Sequence, residues 1–147
     1  VQLDNWTRPL DACSPAVSAI ERHRIFAYPE IVASLKSGRS ARVPSYNLST
    51  SSATALENFD PAGAALIVLE GVFSGHHTIR AAIDRLVFVE CSDDLLHERF
   101  ASFYHWKSML PKNIIQMLQI RAIDEWPQID LQRKGADIIL NFEGRVS

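Results

Sequence analysis

The stretch LIVLEGVFSGHH, residues 66–77, constrains the chain more than any other. An unbroken aliphatic run that stops on an acid and a glycine reads as a strand buried on both faces, the pattern of a parallel sheet. Ligands of such sheets gather beyond the carboxyl ends of the strands. Glu70 and Gly71 therefore stand where chemistry is expected, the alternative being that Glu70 caps the following turn.

The run is too short, and Glu70 breaks it too early, to cross a membrane, and no charged-then-apolar leader opens the chain. With 147 residues, 47% of them hydrophobic, a single domain over residues 1–147 with a real core is expected. Fifteen basic and 17 acidic side chains, spread along the sequence for a net charge of -2, provide no field for nucleic acid or an anionic membrane. An anionic ligand needs a local site. Cys13 and Cys91 are too few and too far apart for a metal cluster or disulfide framework, so a reducing cytoplasm is the expected setting.

Four strand-like runs occupy residues 1–3, 64–69, 86–90 and 136–140. Helical patterns lie between the runs. One spans residues 29–37, with apolar Ile31, Val32 and Leu35 and a stop at Gly38, and another residues 78–85. A longer helix starts at Ser92, whose hydroxyl suits a cap, with Asp93 and Asp94 near its positive end and Leu96, Arg99, Phe100, Phe103 and Lys107 along one stripe. Pro111 opens a further helix to Asp124. Strands alternating with helices predict an α/β domain with a mostly parallel sheet. Residues 37–61, rich in Ser, Thr, Gly, Arg and Pro, read as a long functional or mobile loop.

Several side chains suit chemistry. Asp4 follows the first strand-like run, where a carboxylate takes a proton from a hydroxyl, helps hold magnesium or caps a turn. Arg39, Arg42, Pro44 and Tyr46 in GRSARVPSYN form a mixture able to hold a polar ring and its hydroxyls, or an ordinary solvated loop. Arg99 and Lys107, eight residues apart, differ by about 80° around a helix and so can lean toward one phosphate. Phe100, Phe103, Tyr104 and Trp106 around them fit core or lid packing equally. Adjacent His76 and His77 point apart, and His23, His97 and His105 lack ligand spacing, so no histidine-bound metal is expected.

The order of these pieces carries more than any one of them. The succession Asp4-Asn5-Trp6, LKSGRSARVPSYN, LIVLEGVFSGH, LVFVECSDDLLHERF and KGADIIL resembles the uridine kinase and phosphoribulokinase-like branch of the P-loop kinases. The resemblance implies a three-layer P-loop-kinase-like fold and transfer of a phosphoryl group from ATP, with Mg2+, to a small-molecule hydroxyl acceptor. It casts Asp4 as the base on that hydroxyl, Glu70 as an acid near magnesium shared with Asp4, and Arg99 as a lid cation, with Lys107 adding phosphate-binding charge. Tyr46, Arg8 and Arg42 become acceptor contacts.

Two departures shape the expectation. Asn47 stands where the family has Asp after the loop tyrosine, and ERFASFYHWK replaces the paired arginines of the uridine kinase lid, so the acceptor is open among a nucleoside, a sugar, a phosphosugar and a small organic acid. No G-x-x-x-x-G-K-[ST] occurs in the 147 residues, and the resemblance puts that Walker A strand-loop-helix ahead of Val1. The expectation is a kinase incomplete at its N-terminus. The alternatives are a non-catalytic nucleotide- or metabolite-binding domain on the same architecture and an ATPase acting on a partner. Oligomeric state is open.

Overall fold

The computed structural model describes residues 1–7, 17–47 and 52–142. The chain divides into two compact units, Val1–Asp84 and Arg85–Ser147.

The first unit is organised by one parallel bridge. Gln2 pairs with Glu70, the Leu3 amide donating to the Glu70 carbonyl at 2.7 Å and the Glu70 amide to the Val1 carbonyl at 2.9 Å. The two runs expected as strands at residues 1–3 and 64–69 thus meet, but only in this bridge. The ladder stops because the chain turns at once into a 3-10 turn, Leu3–Trp6, which carries Asp4. Leu66 and Val68 remain 79% and 60% exposed, so the run is not buried on both faces within this unit.

Beneath the turn, Leu3, Ile25, Tyr28, Phe73 and Ile79 are fully buried and form the core. The Tyr28 hydroxyl lies 3.1 Å from the carbonyl oxygens of both Leu3 and His23 and shares its one proton between them. The rest of the unit grows from local signals. Helix α1 (Ala19–Arg22) opens with a capping box between Ser18 and Glu21. Helix α2 (Tyr28–Lys36), with Pro29 in its first turn and Val32 and Leu35 buried, is capped by Ser37 and stopped by Gly38, whose φ is 73°, the stop that the sequence predicts.

Residues 37–61 depart from expectation. They hold an antiparallel hairpin, β1 (Ala41–Asn47) and β2 (Ser52–Phe59), with Ala41 opposite Phe59 and a register shift after Ser45. Pro44 sits inside β1; a two-stranded hairpin tolerates it because each strand has an unpaired edge where a missing N–H is harmless. The helix expected over residues 78–85 is shorter, α3 (His77–Arg80), because the chain then tightens into three-residue bonds from Ala82 to Ile79 and Ile83 to Arg80.

The second unit is a parallel pair bridged by three helices: β3 (Val87–Glu90), α4 (Asp93–Trp106), α5 (Pro111–Asp124), α6 (Trp126–Arg133) and β4 (Ile138–Asn141). Val87 pairs with Ile138 and Glu90 with Asn141. Asp137 locks the start of the sheet, its carboxylate accepting from the Leu86 amide at 2.7 Å. Ser92 caps α4 as expected, accepting from the Leu95 amide. Arg121 on α5 joins three side chains: it donates to Glu125 and to the Tyr104 hydroxyl, at 2.6 and 2.8 Å, and lies over the Phe100 ring. Parallel pairing of strands joined through helices makes the α/β assignment concrete. Among the described residues, no helix is long and apolar enough to cross a membrane.

Candidate active site

The site is built on the bridge between Gln2 and Glu70. Two residues beyond Gln2, Asp4 Oδ1 accepts a hydrogen bond from the Val72 amide at 3.1 Å, two residues beyond Glu70. Both acids therefore emerge at the same end of the paired segments. Glu70 is exposed, and the Asp4 side chain retains 44% of its exposure, so both carboxylates reach solvent.

Three groups surround Asp4. The His23 ring, almost wholly buried, has Nδ1 3.7 Å from Asp4 Oδ1 and 3.1 Å from the Thr7 hydroxyl. It packs edge-on against Phe73, with ring centroids 4.9 Å apart. Burial, and after it the charge of Asp4, pushes the Tyr28 phenol far above its ordinary range, so Tyr28 acts as a fixed proton donor. Gly71 passes close by, with φ of 149°.

Hairpin β1–β2 is fastened to the same turn. Asn5 Nδ2 donates to the Pro44 carbonyl at 3.1 Å and to Gln2 Oε1 at 3.3 Å. Arg42 on β1 is exposed and Tyr46 half-buried, so the hairpin tied to the acidic turn carries two of the three expected acceptor contacts. The third, Arg8, lies outside the described residues.

The expected cations both lie on or at the end of α4. The Arg99 guanidinium stacks over Phe142, 4.3 Å from the ring centroid, and the Lys107 ammonium lies 4.6 Å from the centre of Phe103. Both side chains are exposed. Aromatic support of this kind holds a cation while leaving part of it accessible.

The phosphoribulokinase / uridine kinase family model matches residues 25–101, just over half of the chain. The chain belongs to that family. No curated protein matches it significantly. Membership brings a P-loop-kinase-like α/β fold and kinase-type nucleotide chemistry in general. The matched span of this kinase-family chain contains Arg42, Tyr46, Glu70 and Arg99, while Asp4 and Lys107 lie outside it. Asp4 is joined to the span by geometry instead, through the Val72 amide.

Sequence spacing did not single out Asn5, Thr7 or His23 as partners of the site. Their contacts cross loops, and only the polar cluster directly after the first apolar run hinted at Asn5. Among the described residues, no group of three or more His, Cys, Asp or Glu side chains is arranged to hold a metal ion. Magnesium does not require such a group, since it commonly takes one or two carboxylates and completes its shell with water and substrate phosphates.

Proposed function

We propose that the protein is an ATP-dependent small-molecule kinase, transferring the γ-phosphoryl group of ATP to a hydroxyl of a nucleoside, sugar or related metabolite. The observation that carries this reading is the single bridge that brings Asp4 and Glu70 to one rim, with Arg42 and Tyr46 on a hairpin tied to the same turn.

In this reading the acceptor lies between the hairpin and the turn. Arg42 and Tyr46 orient it by hydrogen bonds to its polar groups. Asp4 accepts the proton of the attacking hydroxyl on Oδ2, its Oδ1 being engaged by the Val72 amide. Glu70 supplies hard carboxylate oxygens that would hold Mg2+, which when bound neutralises phosphate charge. In the second unit, Arg99 and Lys107 are cations that the family resemblance alone assigns to phosphate. Phosphoryl transfer asks little covalent chemistry of the protein, so positioning and charge carry the rate.

The test is an acceptor screen. The full-length protein is incubated with ATP, Mg2+ and, separately, uridine, ribose and ribulose 5-phosphate, with ADP release and phosphorylated product followed together. Acceptor-dependent ADP release matched by product supports the kinase. ADP release that ignores every acceptor favours an ATPase, and nucleotide binding without turnover favours a non-catalytic domain.

A further inference from the structure

Gly71 occupies a place where a side chain is both strained and crowded. Its φ of 149° lies where L side chains are strained. A Cβ built on it would stand 2.8 Å from Asp4 Oδ1, 3.1 Å from Leu3 Cβ and 3.2 Å from the Asp4 amide nitrogen. The nearest of these is closer than real Cβ contacts come, and two of the three belong to Asp4.

The same residue precedes the amide that grips the carboxylate. Val72 N–H reaches Asp4 Oδ1 at 3.1 Å only because the backbone before it passes against Asp4 without a side chain in the way. His23 Nδ1 closes on the same oxygen from the buried side, at 3.7 Å, and Thr7 holds that ring nitrogen at 3.1 Å. Oδ1 is therefore held by fixed groups, while the Asp4 side chain as a whole keeps 44% of its exposure.

We infer that Gly71 is a positioning residue for Asp4, the absence of its side chain letting the Val72 amide fix the carboxylate in one orientation. The inference rests on reading Asp4 as the base, but its geometry is testable without turnover.

The experiment follows the Val72 amide in 15N-labelled protein by NMR. A hydrogen bond to a carboxylate moves that proton downfield, so Asp4→Ala marks the position of the amide without its partner. Gly71→Ala is expected to move it to the same position, with the double substitution adding nothing. A folded Gly71→Ala protein whose Val72 amide is unmoved overturns the inference. If Gly71→Ala prevents folding, the same substitution is made in the Asp4→Ala background. A folded spectrum there supports the inference, since removing Asp4 relieves the clash, and a spectrum still unfolded contradicts it. Thermal unfolding adds a second reading where the variants fold, the loss from Gly71→Ala being smaller by about 4 °C or more in the Asp4→Ala background. Equal losses in the two backgrounds overturn the inference. Full turnover in Asp4→Asn would instead remove Asp4 as the base and leave this geometry standing.

Discussion

Asn5 donates its side-chain amide to the backbone carbonyl of Pro44 at 3.1 Å, joining the turn that carries Asp4 to the strand that carries Arg42 and Tyr46. The bond crosses 39 residues of sequence and sets where the hairpin stands relative to the acid. Removing it should loosen acceptor binding and leave nucleotide binding alone. Since a neutral hydrogen bond contributes roughly 0.5–1.5 kcal/mol, Asn5→Ala is expected to raise the acceptor KM about two- to twelvefold. Steady-state kinetics with each substrate varied in turn checks this, and a rise confined to the ATP KM would contradict it.

Gly71→Ala should act on the chemical step. Displacing a reacting group by about 1 Å can lower a rate on the order of 100-fold, so kcat is expected to fall by about that factor with the acceptor KM changed little. The kcat and KM of the folded variant, measured per folded molecule, make the comparison. A proportional rise in KM with unchanged kcat would point to binding in place of positioning.

Acid should weaken the first unit through His76. This side chain is buried, and its Nδ1 accepts the Thr78 amide hydrogen at the start of α3. Burial first, and then the neighbouring His77, holds its pKa below the ordinary 6.5. The unfolded imidazole thus binds more protons, so the contribution is complete above the unfolded pKa and is lost as pH falls through it toward the folded value. Melting temperature should drop between pH 7.5 and pH 5, and His76→Asn, which keeps a capping acceptor, should lessen that drop. An identical drop in the variant would remove His76 as its source.

In the second unit, Glu125 has only 2% of its side chain exposed and meets Arg121, which also holds the Tyr104 hydroxyl. Breaking a buried pair on one side leaves the other charge uncompensated. Glu125→Ala is therefore expected to lower the unfolding free energy by about 3 kcal/mol, and the paired change Arg121→Met with Glu125→Leu by less. Denaturant unfolding of the three proteins tests this. A double variant weaker than Glu125→Ala would contradict it.

Helices were the most legible part of the fold because their signals are local. Pro111 and Asp124 bound α5 as predicted, and Ser92 caps α4, since a proline in a first turn and a hydroxyl before two acids act within a few residues. Helix α6 was missed although Pro127 in its first turn is the same kind of signal. Hairpin β1–β2 was hidden because Pro44 argues against a strand and because pairing partners are chosen across the hairpin. At the site, the polar residues ending apolar runs pointed to Asp4 and Glu70 as candidates, and the bridge between Gln2 and Glu70 brings the two to one end of the paired segments. Nothing local revealed that His23 and Gly71 close on Asp4, because those contacts depend on how separate loops pack.

The central claim is that Asp4 takes a proton from an acceptor hydroxyl during phosphoryl transfer, and Asp4→Asn tests it most directly because the amide keeps the shape and an oxygen for Val72 while losing basicity. With the acceptor found in the screen, kcat should fall by roughly 100- to 10,000-fold while the ATP dissociation constant, measured by calorimetry, stays within about threefold. Turnover equal to that of the unaltered protein would contradict the claim.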